Sequence, residues 1–393
     1  MVDLVKKKMS SMKTPMLDTM QAAAKSVLQE EFGDSKGTFS ASSSILGRPQ
    51  ANSVILAEYH PIEWSRICTK LVSRMSSSIF VGQNLAHDAR WQAIIHSYTF
   101  NLFIACRVLR SWPAILRPIA VWFIKEAKLC RAQIAEARKI VASNPPDETT
   151  ESSAFAWMDP RADPAVVQLA LAAGALHTTS QLLNQVLLDL AYAESQEQDI
   201  VAKIRSECQD CDMWTDGSIA PSTLPKMVVL EACIKETQRL KPQTMTNLDR
   251  LALKPVTLPN GLRVPKGTMV SVDQSTMWNT NTWGEDAMAW DPLRWKRDSE
   301  TDGAETTGHD KLVCSSERHF AFGKGRFICP GRFLVNGELK IALGLILERW
   351  DVRLSGQDYA KLKAKGVERV PWVPYGLEML ADESIVVEVR SLQ

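Results

Sequence analysis

The sequence predicts a mostly α-helical chain with small β-sheets, and three observations carry that expectation. Long apolar segments with helix-like spacing fill much of the chain, at Tyr59 to Val81, Trp91 to Leu109, Pro113 to Val141 and Ala165 to Ala193. Strand-like character is confined to short pieces between Leu251 and Asp273 and to one near the C-terminus. A chain of 393 residues with 45% hydrophobic content can bury a large core, enough for one big α-rich unit or two ordinary domains.

In chain order, Met1 to Glu31 has a helical pattern with basic residues at its start, and Gly33 to Asn52, rich in Gly, Ser and Pro, reads as a loop. Three helical segments come next, the last running from Pro113 to Val141. Ser143 to Pro160 is polar and proline-containing, the body of a connector over 142–163. Asp163 suits an N-cap and Pro164 the first helical position of the apolar run to Ala193. Met227 to Cys233 begins another helix, which continues through Lys235-Glu236-Thr237-Gln238-Arg239-Leu240-Lys241 and stops at Pro242. Val256-Thr257-Leu258 and Leu262-Arg263-Val264 flank a turn at Pro259-Asn260-Gly261, and Thr268 to Val272 makes a further short strand. Residues 300–319 form a polar loop, Arg332 to Trp350 an apolar helix, and Ser384 to Val389 alternates like a closing strand.

Charge and cysteine usage narrow the function classes. Lys and Arg total 46 against 45 Asp and Glu, which removes a general electrostatic case for nucleic acid, and no basic stripe or RNA-binding motif is present. Eight irregularly spaced cysteines without a secretory signal point to a reducing, intracellular compartment. Cys208 and Cys211 lack the second pair that a structural zinc needs, so they read as two thiols in a polar loop. No apolar run reaches membrane-spanning length; Pro113 to Ile124 is too short and is interrupted by Arg117. No Gly-x-Gly-x-x-Gly fingerprint for a flavin or nicotinamide opens a βαβ unit.

The most informative stretch is Phe322-Gly323-Lys324-Gly325-Arg326-Phe327-Ile328-Cys329-Pro330-Gly331-Arg332. It delivers one cysteine from a glycine-rich loop straight into a helix, the way a protein presents a single thiolate to a metal, and a helix N-terminus shifts such a thiol toward thiolate. The alternative for Cys329 is an inert buried thiol. Elsewhere, Glu236 and Arg239 share a helix face, an arrangement that by itself is usually a solvated pair. Ala173-Gly174-Ala175-Leu176-His177-Thr178-Thr179-Ser180 sets a small-residue patch beside polar side chains inside an apolar helix. Those hydroxyls either bond back to the preceding turn at a helix crossing or serve a site.

The cysteine stretch resembles the haem-ligand signature of cytochromes P450, Phe-x-x-Gly-x-Arg-x-Cys-x-Gly, with Phe322, Gly325, Cys329 and Gly331 in place. Phe327 stands where that family usually has an Arg or His reaching a haem propionate. Lys235 to Pro242 resembles the family's K helix, and Asp291-Pro292-Leu293-Arg294-Trp295 its Pro-x-Arg-Phe/Trp segment. The resemblance implies a buried Glu236-Arg239-Arg294 cluster that fixes the loop carrying Cys329. It also implies an I helix in which Thr178 manages dioxygen and protons and His177 replaces the usual acid.

By the same resemblance, residues 1–393 are expected to form a single haem-thiolate monooxygenase domain with the cytochrome P450 fold. Haem b would be held by Cys329 on iron, with Phe322, Gly325 and Gly331 around the thiolate and Arg326 and Arg250 as propionate partners. Electrons would come from NADPH-cytochrome P450 reductase, docking near Lys324, Arg326 and Arg332. His177-Thr178-Thr179-Ser180 and Arg332-Phe333-Leu334 are similar to fungal terpenoid and indole-diterpene oxidases, which implies a small apolar natural product and O2 as substrates in secondary metabolism. The family's place at the endoplasmic reticulum surface is expected without a transmembrane anchor. The chain begins at a point like the family's C helix, so an N-terminally shortened form is expected, lacking the Trp-x-x-x-Arg segment. Two rivals are a silent haem-binding or haem-free remnant and a reductase-independent haem-thiolate isomerase or dehydratase.

Overall fold

Residues Pro164–Ser195 form one helix of 32 residues, and most of the other elements pack around it. Asp163 caps it, its side chain accepting from the Ala165 and Val166 N–H groups, with Pro164 in the first turn where no N–H is needed. The computed structural model describes residues 8, 13–33, 58–145, 153–213, 220–301, 311–367 and 369–392. Short single turns aside, the helices in chain order are α1 (Thr14–Phe32), α2 (Trp64–Val81), α3 (Ala89–Ser111), α4 (Arg117–Phe123) and α5 (Lys125–Ser143). They continue as α6 (Pro164–Ser195), α7 (Ile200–Asp210), α8 (Val228–Leu240), α9 (Arg294–Thr301), α10 (Arg332–Arg349) and α11 (Gly356–Ala364). Helix α6 touches α2, α3, α5, α7, α8 and α10. Its buried residues, among them Leu169, Leu183, Val186 and Leu190, therefore lie at the centre of the main core.

The strands are short and their partners distant in sequence. β1 (His60–Ile62) and β6 (Trp350–Leu354) both pair antiparallel with β9 (Val387–Ser391), in the registers His60↔Val389 and Val352↔Val389. The remaining pairs are β2 (Thr246–Leu251) with β5 (Met269–Asp273), β3 (Val256–Thr257) with β4 (Arg263–Val264), and β7 (Trp372–Tyr375) with β8 (Glu378–Ala381). One buried ion pair ties α8 to α6: Lys241 reaches Asp189, which also accepts from the Thr237 hydroxyl at 2.7 Å.

Several expectations need correction. Pro113 to Val141 is two helices, because the chain turns extended at Ile124 (ψ 124°) after the short α4, which carries Pro118 in its first turn. The expected helix from Tyr59 starts only at Trp64, since His60–Ile62 is taken into the sheet with β9. Cys208 and Cys211 sit at the C-terminal end of α7, buried and free, not in a polar loop; burial pushes the Cys208 thiol up to about 12. The 142–163 connector is interrupted by a turn of helix at Ala154–Trp157. The expected 33–52 loop falls almost wholly outside the described residues, as do the first residues of the N-terminal helix and 302–310 of the polar loop. Helix α6 is long and apolar enough to cross a membrane by length and composition, but as the core helix it is packed by the elements around it.

Candidate functional site

The loop before α10 is built by backbone hydrogen bonds. Gly323 N–H donates to Phe320 O (2.8 Å), Ile328 N–H to Gly325 O (3.1 Å) and Cys329 N–H to Phe322 O (2.8 Å). Gly323 (φ +78°) and Gly325 (φ +69°) take left-handed conformations that side chains rarely adopt. Gly331 ends the loop; a Cβ there would lie 4.0 Å from Cys329 Sγ, so glycine keeps that side of the sulfur open. The Arg332 guanidinium clamps the turn from outside, donating to Val313 O (2.9 Å) and Cys329 O (3.0 Å). Arg332 is therefore a loop clamp rather than a free surface charge for partner docking.

Behind the loop, the structure brings Glu236, Arg239 and Arg294 together. Arg239 forks onto Glu236 with Nε at 2.9 Å and Nη2 at 2.8 Å, and Arg294 Nε donates to the same carboxylate at 2.9 Å. Trp295 Nε1 adds a fourth bond at 3.1 Å, and all three charged side chains are buried. The cluster reaches the loop in two steps. Arg239 Nη1 donates to Met277 O (3.0 Å), and Phe320 N–H donates to the Met277 sulfur (3.4 Å). Asn247 holds the same corner, its amide donating to Phe320 O and Ala321 O.

Cys329 faces a cavity of about 490 Å³. The opposite wall is a stripe of α6, with Leu171, Gly174, Ala175, Thr178, Leu182 and Gln185 at the spacing of one helical face. The loop and α10 contribute Phe322, Phe327, Gly331, Leu334 and Glu338. Thr178 donates its hydroxyl to Gly174 O at 3.0 Å, the bond back to the preceding turn, while its side chain stays on the cavity wall. His177 is set apart from this cavity. Its Nε2 lies 3.3 Å from Glu378 Oε2 on β8, its ring is 6.1 Å from Phe103 on α3, and Arg107 approaches the other Glu378 oxygen at 3.8 Å. Arg250 and Arg326 flank the ring of Phe327 at 4.7 and 5.6 Å, on the exposed side of the loop, and neither lines the cavity.

Burial pushes the Cys329 thiol above its ordinary value, against the pull of the Gly331 and Arg332 N–H groups and the Arg332 guanidinium. The helix end alone does not make it a thiolate, contrary to the expectation from its position; a cationic metal is the partner that would. Among the described residues no group of three or more His, Cys, Asp or Glu could hold a metal ion. One sulfur, apolar walls and small residues opposite it fit a metal that arrives already ligated in a flat organic ring. Sequence reasoning missed Glu338, Gln185 and Gln238 on the cavity wall. The first could have been found: Glu338 follows Gly331, Leu334 and Val335 at helical spacing on α10.

The sequence model of the family Cytochrome P450 matches residues 164–377. Cytochrome P450 monooxygenase pyr3 of Aspergillus fumigatus is 33% identical over 319 residues, 76% of this chain and 60% of its own. Cytochrome P450 monooxygenase hepE of Aspergillus oryzae is 34% identical over 320 residues, 76% of this chain and 57% of its own. The corresponding values for cytochrome P450 monooxygenase esdpI of Penicillium shearii are 35% over 318 residues, 76% and 60%. The chain thus spans about 60% of the length of these curated relatives. Among solved structures, the retinoic acid-bound cyanobacterial CYP120A1 superposes with a TM-score of 0.68, covering 100% of this chain and 78% of that one. At 18% identity that likeness shows the fold.

Proposed function

The chain belongs to the cytochrome P450 family, and from that premise we propose that it is the haem-thiolate part of a monooxygenase of secondary metabolism. What carries the reading is that the Cys329 thiol and the Gly174-Ala175-Thr178 wall line one cavity. Haem bound there would supply the iron-centred oxidation of a substrate by dioxygen, its reactivity set by the thiolate.

The protein's own contribution comes from the residues around that cavity. Cys329 would hold the haem iron through its sulfur, whose direction is fixed by the clamped loop and its buried cluster. Phe322 and Phe327, on the cavity lining, would pack beside such a ring, and Gly325 and Gly331 would let backbone approach it without a Cβ in the way. Gly174 and Ala175 leave space on the far wall for a small molecule. Thr178 holds a hydroxyl there that can accept and pass a proton. His177 faces Glu378 on β8, so a part in the reaction would be indirect. Arg250 and Arg326, whose guanidinium groups lie over the Phe327 ring, would reach the haem carboxylates only from the exposed side of the loop. The apolar lining favours a bulky apolar natural product, of the terpenoid or indole-diterpene kind that His177-Thr178-Thr179-Ser180 suggests. A separate reductase, of the NADPH-cytochrome P450 reductase type, would deliver electrons near the exposed Lys324 and Arg326.

An apolar surface supports a place at a membrane face. On α4 and its flanks, Ile115 is 85% exposed, Trp122 64% and Phe123 83%, with Arg117, Lys125, Lys128 and Arg131 along the same stretch. Aromatic and aliphatic side chains beside cations are the composition of an interfacial helix.

The decisive test is spectroscopic. Cys329→Ser is expected to abolish the long-wavelength absorption of the reduced, carbon-monoxide-bound haem, while Cys208→Ser and Cys211→Ser leave it intact. A parent-like spectrum from the Cys329 variant overturns the assignment. Turnover with a reductase and NADPH separates the monooxygenase from a silent haem protein and from a reductase-independent isomerase.

A further inference from the structure

Strand β5 carries the least protected edge among the described residues. It pairs with β2 in a two-stranded sheet and has no strand on its other side, and all five of its residues are exposed. Its Met269, Val270 and Val272 are apolar. So are Leu251 at the end of β2, Leu253 just after it and Leu262 beside β4, which are between 52% and 78% exposed. With Val256 and Leu258 these side chains offer on the order of 700 Å² to solvent, more than the roughly 300–600 Å² of the largest patch on an ordinary monomer. That is close to the roughly 800 Å² that each partner gives to a stable interface.

The backbone of the strand is turned so that it can accept another. Ala252 N–H donates to Thr268 O at 2.9 Å and Gln274 N–H to Met245 O at 2.8 Å, which sets the alternation along β5. Val270 and Val272 therefore direct their backbone groups to β2, while Met269, Ser271 and Asp273 direct theirs away from it. Side chains alternate too. Val270 and Val272 share one face with Arg250 and Asn247 across the pair, and Ser271 lies on the other, its hydroxyl donating to Asp249 Oδ1 at 2.6 Å. Nothing on the strand blunts this edge: residues 269–273 contain no Pro and no Lys, and the register slip falls on β2, between Asn247 and Arg250.

We propose that this edge pairs with the same edge of a second copy of the chain, β5 antiparallel to β5 about a two-fold axis at Ser271, so that two sheets of two strands become one of four. The edge is complementary to itself. In this register Ser271 exchanges both backbone bonds with the second copy's Ser271, and each Asp273 N–H donates to the other copy's Met269 O. Val270 then stands opposite the second copy's Val272 at the closer of the two antiparallel spacings, about 4.5 Å between Cα atoms, where β-branched side chains pack on each other. Charge does not oppose the pairing. Asp273 meets Met269 rather than another acid, its carboxylate accepts from the Ser275 N–H at 2.8 Å, and a net charge of +1 leaves little repulsion between copies.

Sedimentation equilibrium of the full chain across a wide range of concentration tests the pairing, and neither haem nor turnover enters it. The mass is expected to be twice that of one chain, falling toward a single chain on dilution. Val270→Lys puts a charge into the seam, and Ser271→Pro removes an outward N–H without touching the ladder to β2. Each is expected to weaken the dimer at least tenfold with helix content unchanged, whereas replacing Ile119, Trp122 and Phe123 on α4 by serine leaves it intact. Hydrogen exchange in the parent gives a readout that needs no variant: the Ser271 amide is expected to exchange more slowly as concentration rises. A chain that is monomeric at every concentration overturns the proposal and gives the edge to a different strand. A dimer lost only in the α4 variant, or exchange at Ser271 that ignores concentration, overturns it as well.

Discussion

Thr178 keeps its hydroxyl against the Gly174 carbonyl one turn back along α6, 3.0 Å away. That bond leaves the oxygen's lone pairs facing the cavity, so the residue can receive a proton without leaving the helix. Thr178→Ala is expected to retain haem and its reduction but to divert electrons into peroxide, measured as a lower ratio of product formed to NADPH consumed; an unchanged ratio removes Thr178 from the mechanism. The residues legible in sequence were those within one local pattern: Cys329 with its glycines, Thr178 beside small residues, Glu236 with Arg239. Glu378 was not legible, because it meets His177 from 201 positions away. The same distance explains why His177 looked like a cavity residue. Its neighbour Thr178 is one, but successive helical positions point about 100° apart.

At the scale of elements, amphipathic periodicity located the longest helices, missed the 11-residue α7 and blurred two kinds of boundary. Pro113 to Val141 kept helical spacing across Ile124, where the backbone turns extended. β2 was invisible because Leu248 adopts a left-handed φ of +59° and the register slips between Asn247 and Arg250, which breaks the alternation a strand shows. The β7–β8 hairpin hid behind Pro374 and an exposed face. The stretch around α4 has a consequence that can be measured. Replacing Ile119, Trp122 and Phe123 together by serine is expected to reduce cosedimentation with anionic vesicles at least tenfold while leaving helix content unchanged. Equal binding by the variant would locate membrane contact elsewhere.

Across the whole molecule, the long-range contacts decide what composition could not. β1 and β6 meet β9 from both sides, joining residues 60–62 to 387–391 and closing the ends of the described fold. No local signal encodes such pairings. The Glu236 cluster works at this scale too. Glu236→Gln leaves two buried guanidinium groups facing a neutral amide, and breaking a buried pair in this way costs about 3–5 kcal/mol. Chemical denaturation is expected to show that loss in global stability, with an unchanged m-value. A loss under about 1 kcal/mol would mean that water or neighbouring carbonyls compensate.

The direction of the sulfur and the size of the facing wall are set by different side chains, although Asp189 ties α6 to α8 further along. Cys329 is fixed through Phe320, Met277, Arg239 and Glu236, none of which belongs to α6. The facing stripe at Leu171, Gly174, Ala175 and Leu182 can therefore change size without disturbing the direction of the sulfur. A lineage under selection for new substrates has independent room to vary there, and almost none in the loop. Divergence in what such a chain accepts should accumulate along one helix face, while the means of holding the metal descend nearly unchanged.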